Sequence, residues 1–412
     1  MSDEDLESRH PWHEKYPEMG TEPIPIEPYI SPAHYQAEVE HVFKKSWIMV
    51  GEVAEIPNPG DFKAKKIHFA NTSVILVHGK DGVIRGFHNI CSHRGNTIVS
   101  ETGEDTYGSN RAAVLTCRFH GWVYDQTGEL VDVPDEPHFY ACFHREDNGL
   151  APVHTDVWNG IMFIHIDDHP EQTLDEYLSG VTTILEGYRF DEIGWCANFY
   201  RTVFRANWKV VADAFAEAYH TRTIHGGSYP NLFETEMDDV RFPGEHRVGS
   251  TRVTKNMNLT RVQKISQSLD KSSPGATERD HSELPPGINP GRHANFGTQM
   301  NWLFPNSGMG TSNNYRTLAK MFPIGHDQVL LESKRFARKP TTYSQLWAFE
   351  FAKVLQRAVM LEDSETMENT YRAMTSGVKT HMHLQDHEIL LRRLYINLNA
   401  RIDKGMNAGG QR

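Results

Sequence analysis

Cys91-Ser92-His93-Arg94-Gly95 and Cys117-Arg118-Phe119-His120-Gly121-Trp122 are the two stretches on which the reading of this chain turns. Each offers one thiol and one imidazole, and each is closed by glycine. Zinc fingers usually pair Cys with Cys and His with His. Here 23 residues separate His93 from Cys117, and two short loops carry mixed pairs. Facing one another, they give two Cys to one iron and two His to the other, the ligation of a [2Fe–2S] cluster in which His replaces Cys on one iron. A structural Cys2His2 zinc site and two unrelated buried Cys–His pairs are the competing readings. The matched spacing and flanking glycines favour the cluster. Cys142 and Cys196 lack such company and are expected to pack in the core.

Around these loops the pattern is strand-like. Val74-Ile75-Leu76-Val77, the turn Lys80-Asp81-Gly82 and Val83-Ile84-Arg85-Gly86-Phe87 read as a hairpin. Further strands are predicted at 113–117, at 122–124 with 129–131, and at 159–165. Together they make an all-β domain over residues 48–168. Before it, residues 1–47 form a proline-rich arm over the first 30 residues and a helix over 32–45, with Ser31 as N-cap and Pro32 at the first position. After it, residues 169–412 are mixed and form a further domain. The expected elements there are a helix over 207–224 ended by Gly226-Gly227, a long loop over 266–293, strands at 299–304, 316–322 and 328–336, and helices over 344–376 and 383–404.

The chain has 412 residues, 54 acidic and 42 basic side chains, and a net charge of −12. That field opposes nucleic acid and anionic lipid, so neither is an expected partner. No apolar run approaches the ~20 residues that span a bilayer. Met1-Ser2-Asp3-Glu4-Asp5 does not read as a secretory signal. Four Cys are too few for a disulfide scaffold. A cytoplasmic location is the expectation.

A second constellation lies in the 207–224 helix. Asp213, Glu217 and His220 fall at i, i+4 and i+7, on one stripe among small and apolar neighbours. A buried polar stripe must be paired or metal-bound. His225 is five residues beyond His220, so the helix must distort or end near Gly226-Gly227 for both rings to reach one metal. A mononuclear Fe(II) that activates O2 uses two His and one carboxylate. A pair of satisfied core histidines is the alternative.

Cys91-x-His93-Arg94-Gly95 with Cys117-x2-His120-Gly121-Trp122 resembles the Rieske domain of Rieske non-haem iron oxygenases, among them the catalytic alpha subunits of aromatic-ring-hydroxylating dioxygenases. The gap between the loops is longer than in that family, the excess lying in the polar stretch 101–110. The resemblance runs on through Asn207-Trp208-Lys209, Asn301-Trp302-Leu303-Phe304-Pro305-Asn306 and Leu361-Glu362-Asp363-Ser364-Glu365. It implies an α+β fold, with an N-terminal all-β Rieske domain and a C-terminal catalytic domain built as a helix-covered antiparallel sheet.

The resemblance also implies a set of sites. Cys91, His93, Cys117 and His120 would hold the [2Fe–2S] cluster. His220 and His225 would hold mononuclear Fe(II), with Asp363 as third ligand and Glu362 as the alternative. Glu217 maps to an acid that links His220 in its own chain with His120 of a neighbouring subunit, which implies a ring of subunits, a homotrimer, with or without a beta subunit. Asp213 is a second candidate catalytic carboxylate, Ala214 stands where dioxygenases often have Asn, and Phe215 and Thr221 face substrate or pack in the core.

The implied function is that of a terminal oxygenase acting on an aromatic or other hydrophobic small molecule, with cis-dihydroxylation of a ring expected first. Monohydroxylation, oxidative demethylation, a non-catalytic electron carrier and a zinc hydrolase are the alternatives. No G-x-G-x-x-G or P-loop follows a strand, so the electrons would come from a separate reductase or ferredoxin. Lys44, Lys45, Lys63, Lys65, Lys66, Arg94 and Arg118 could form a basic docking patch for it, or a solvated surface of mixed charge.

Overall fold

The strand Thr72–His78 buries Val74, Ile75, Leu76 and Val77 one after another. A run that is apolar on both faces belongs inside a sheet rather than at its rim. The computed structural model, which describes residues 11–109, 114–229, 232–254, 258–269 and 281–409, places it there. Ile48–Glu52, Ile161–His165, Pro152–Trp158, Ile84–His88, Thr72–His78, Asp61–Ile67 and Asp105–Ser109 lie side by side in that order, all antiparallel. A three-stranded sheet of Val114–Thr116, Val123–Asp125 and Leu130–Asp132 completes a compact unit, Val42–Tyr177. Residues 110–113, which take in the end of the polar stretch and the start of the 113–117 strand, lie outside the described residues.

The second compact unit joins residues up to His41 with those from Leu178 onward. Its centre is a seven-stranded antiparallel sheet in the order Trp195–Phe204, Gln328–Ala337, Tyr315–Gly325, Ser307–Thr311, Phe296–Leu303, Arg247–Val253 and Phe233–Arg241. The helix Tyr343–Met374 packs on Trp195–Phe204 and on the short helix Trp208–Ala214. Asp363, Met367 and Tyr371, four residues apart, are its buried stripe. The fold is α+β, as expected.

The proline-rich arm is anchored rather than loose. Residues 1–10 lie outside the described residues, but Met19, Ile24, Ile26 and Tyr29 are buried, and Ile24–Pro25 pairs with His381–Met382. Ser31 Oγ accepts a hydrogen bond from the His34 N–H at 3.2 Å, the cap expected for the following helix, Pro32–His41. That helix is stapled to Trp208–Ala214 by a buried ion pair: Lys209 Nζ lies 2.6 Å from Glu38 Oε1, and Trp208 Nε1 donates to Glu38 Oε2 at 2.9 Å.

Three expectations are corrected. The loop over 266–293 begins within a helix, Arg261–Leu269, and Leu284 and Ile288 beyond it are buried; residues 270–280 lie outside the described residues. Cys142 and Cys196 are exposed, not core. Lys63 and Lys65 cannot belong to a docking patch, since each is 1 % exposed and both ammoniums lie 3.3 Å from Asp105. Lys45 is paired with Asp167 and Lys66 with Glu101. Arg94 and Arg118 remain exposed. Among the described residues, no helix is long and apolar enough to cross a membrane.

Candidate metal centres

In the Val42–Tyr177 unit the two Cys–His loops share one turn geometry. The Gly95 N–H donates to the Cys91 carbonyl and the Gly121 N–H to the Cys117 carbonyl, both at 2.9 Å. Both glycines have φ of +77°, in the left-handed region that favours glycine. The turns bring His93 and His120 together with their Nδ1 atoms 3.1 Å apart. Cys91 and Cys117 are buried beneath them as free thiols. The Tyr124 hydroxyl lies 3.2 Å from Cys91 Sγ, and Asn96 Nδ2 donates to Cys117 Sγ at 3.7 Å. Burial pushes the Cys91 thiol up; at Cys117 burial is outweighed by hydrogen bonds, led by the Phe119 N–H, and the thiol is held low. Trp122 stacks on His93, its ring 5.0 Å away and 10° from parallel. Two thiols below and two Nδ1 atoms above, with donors aimed at the sulfurs, fit a [2Fe–2S] cluster.

In the second unit the expected 207–224 helix breaks in two. Asn207 Oδ1 accepts from the Lys209 N–H and caps Trp208–Ala214, and a second helix, Thr221–Ile224, starts after His220. The distortion therefore comes before the Gly226-Gly227 pair. Glu217 sits in the break, where it accepts from the His220 N–H at 3.1 Å and holds His220 Nδ1 with its other oxygen. Asp213, Glu217 and His220 are thus not one helical stripe.

The break turns both imidazoles toward Asp363. His225 Nε2 lies 3.2 Å and His220 Nε2 3.8 Å from Asp363 Oδ1, and three ligand atoms, one from each residue, lie within 4.8 Å of one another. Both Nδ1 atoms face away and are held by carboxylates, His220 by Glu217 and His225 by Glu362 at 2.9 Å. Glu362 also accepts from Ser228 Oγ at 2.6 Å. Burial raises the Asp363 carboxyl, with the two imidazoles opposing. A buried carboxylate facing two imidazole nitrogens, each ring oriented by a second carboxylate, suits a divalent cation. Glu362 serves His225 rather than pointing at this focus.

Asp213 is not one of the three facing residues, although it lines a second cavity with Glu217, His220 and Asp363. Tyr29 Oη donates to Asp213 Oδ2 at 2.7 Å, Oδ1 is buried without a hydrogen bond, and burial pushes its pKa up to about 7. Phe215 and Thr221 do line the cavity that opens on His220, His225 and Asp363, a space of about 270 Å³. Tyr229, Phe233, Met300, Tyr315, Arg335 and Gln356 also line it, and sequence reasoning missed them. They come from strands, a helix and, for Tyr229, a bend, far apart in the chain, and the only signal was the strand alternation that puts Thr298, Met300 and Tyr315 on one face.

These two centres define a class: an iron–sulfur unit and, in the same chain, a two-His, one-carboxylate iron site that opens on an apolar cavity. Residues 46–146 match the family described as "Rieske [2Fe-2S] domain" and residues 175–404 the family described as "Ring hydroxylating alpha subunit (catalytic domain)". The chain belongs to the ring-hydroxylating alpha-subunit family of Rieske oxygenases. It is an O2-using oxidoreductase, the terminal oxygenase component, and its cofactors are a Rieske [2Fe–2S] cluster and a mononuclear iron.

Among its relatives, the glycine betaine monooxygenase oxygenase subunit of Chromohalobacter salexigens is 25% identical over 87% of this chain and 80% of its own. The carnitine monooxygenase oxygenase subunit of Acinetobacter pittii is 30% identical over 48% of this chain; the match spans about half (51%) of that subunit. A quaternary ammonium Rieske monooxygenase of solved structure, bound to an inhibitor, superposes with a TM-score of 0.72 at 18% identity, covering 92% of this chain and 95% of the other.

Proposed function

We propose that this chain is the oxygenase component of a monooxygenase that hydroxylates carbon beside a quaternary nitrogen, with O2 and electrons from a separate reductase. The observation that carries this reading is the cavity: His220, His225 and Asp363 open onto a space lined by four aromatic rings, Phe215, Tyr229, Phe233 and Tyr315. Aromatic faces attract onium groups, and Glu217 and Asp363 at one end add negative charge. The names of the relatives agree with a small onium substrate. Ring cis-dihydroxylation, the first expectation, is the second reading, which the same apolar walls would accommodate.

In this reading Cys91, Cys117, His93 and His120 hold the cluster, and His220, His225 and Asp363 hold the iron. When bound, these groups supply stepwise electron transfer and O2 activation. The chain's own contribution is positional. Glu217 and Glu362 accept from the two Nδ1 atoms, which leaves each Nε2 as a neutral donor to metal. Phe215 and its aromatic neighbours exclude water and hold the substrate against the ligands.

Reconstituted protein, a Rieske-oxygenase reductase and NADH test the reading. Gamma-butyrobetaine or glycine betaine should stimulate O2 uptake and release a tertiary amine and an aldehyde, as carbinolamine collapse requires. Uptake stimulated only by benzene or toluene, with a cis-diol as product, would overturn it.

A further inference from the structure

The substrate cavity joins groups of unlike chemistry. Glu217, His220, His225 and Asp363 line it together with apolar walls. Arg335 and Gln356 bring unpaired donors to the same cavity from two elements, Arg335 from the strand Gln328–Ala337 and Gln356 from the helix Tyr343–Met374. Among the described residues neither side chain has a hydrogen bond or an ion pair. Four other arginines on or beside the same sheet are committed: Arg201 to Glu332, Arg252 to Asp238, Arg338 to Glu192, and Arg316 to the Ile193 carbonyl.

Arg335 is nonetheless held in place. Its guanidinium carbon lies over the Tyr315 ring, 3.9 Å from the centroid. Stacking fixes the plane of the fork and leaves its N–H edges free, which suits bidentate capture of a carboxylate. Across the strand pair from Arg335, Asn198 has a buried Nδ2 with no hydrogen-bond partner, a further donor on this part of the sheet. A half-buried cation without a counter-ion, in an apolar cavity, is a group whose partner arrives from outside. In a chain of net charge −12, an anionic substrate needs such a local positive anchor.

We infer that Arg335, assisted by Gln356, binds a carboxylate of the substrate, so that this oxygenase acts on an organic acid whose reacting carbon reaches the iron end while its carboxylate stays on the arginine. The inference rests on the cavity being the substrate site, and combined with an onium reading it specifies a zwitterion. A cavity of about 270 Å³ admits a short spacer between the two groups.

The test is anaerobic calorimetry on protein loaded with cluster and iron, using two matched pairs of probes: gamma-butyrobetaine against its methyl ester, and benzoate against benzamide. In at least one pair the acid should bind about 30-fold tighter than its neutral partner. Arg335→Met should erase that preference, and Arg335→Lys should keep part of it. Cluster absorbance and thermal midpoint report whether each variant is folded, and Gln356→Leu, which should weaken the acid preference by a smaller factor, stands in if Arg335→Met is not. Equal binding of acid and neutral partner in both pairs, no binding of either acid, or a preference that survives Arg335→Met overturns the inference. Preference for benzoate alone, lost in Arg335→Met, supports the clamp and refutes the onium reading, so the two failures are distinguishable.

Discussion

Glu362 and Asp363 are adjacent, and the structure gives them different tasks. Asp363 Oδ1 faces both imidazole Nε2 atoms, whereas Glu362 reaches His225 Nδ1 and Ser228 Oγ. Asp363→Ala removes one of three ligands and leaves two imidazoles, so iron should be lost at chelator concentrations the parent protein withstands. Glu362→Ala leaves the three ligands but frees the His225 ring and unpairs the Ser228 hydroxyl. Loss of such an orienting carboxylate costs roughly 10–100-fold in metal affinity, about 1.4–2.8 kcal/mol. The assay is Fe(II) per chain against graded chelator, on anaerobically purified protein. Acid-labile sulfide serves as the internal control, because the cluster ligands lie in the other unit and should keep their sulfide in both variants. Equal iron loss in the two variants, or iron retained in Asp363→Ala, would refute the assignment of ligand and orienter.

Three more outcomes are expected. Asp213, at about 7 in the folded chain against an ordinary 3.8, binds a proton on folding between those values, so its contribution to stability falls as pH rises from about 4 to 7 and is level outside. The full effect is at most ~4 kcal/mol, so Asp213→Asn should gain on the parent protein in denaturant melts at pH 8 relative to pH 4; a difference that does not vary with pH would contradict this. Lys209→Met strands Glu38, which is 0 % exposed, and should cost about 3–5 kcal/mol in urea unfolding, much of it recovered by adding Glu38→Gln. Gly121→Ala forces a φ of +77° on a residue with a Cβ, which would also sit 3.1 Å from Pro134 Cγ. A cost of about 1–2 kcal/mol at that turn should appear as reduced cluster absorbance with unchanged iron at the second site.

The chemistry was legible because it is local. Cys91 with His93, Cys117 with His120, and His220 with His225 are neighbours in sequence, and glycines mark their turns. Elements with a clean period were legible too, such as the helix Tyr343–Met374 and the strand Gln328–Ala337. The edge strands were not. Phe233–Arg241 carries Glu234, Glu236, Asp238 and Asp239, a composition that reads as loop, and it forms a strand because Arg252 on its neighbour pairs with Glu234 and Asp238. Trp195–Phe204, at the other edge, alternates poorly and includes Arg201, which is paired with Glu332 of the adjoining strand. The helix break at residues 215–220 was hidden because it depends on one side chain, Glu217, folding back on the His220 N–H. Arg335 was hidden for a different reason: alternation identifies a strand but not which face meets a cavity whose histidines lie more than 100 residues away in sequence.

The second unit is assembled from both ends of the chain. Ile24 pairs with Met382, and the N–H groups of Trp12 and His13 donate to the Asp386 carboxylate. A ribosome therefore releases the cluster ligands, in a unit whose last residue is Tyr177, before it has made any ligand of the iron site. Residues 11–41 are made before that unit; Glu38 and Tyr29 can meet Lys209 and Asp213 midway, but Ile24 has no strand partner until Met382 is made. Cluster insertion can precede closure of the catalytic unit. Closure, a contact between residues some 360 apart, is the slow, high-contact-order event that completes the enzyme.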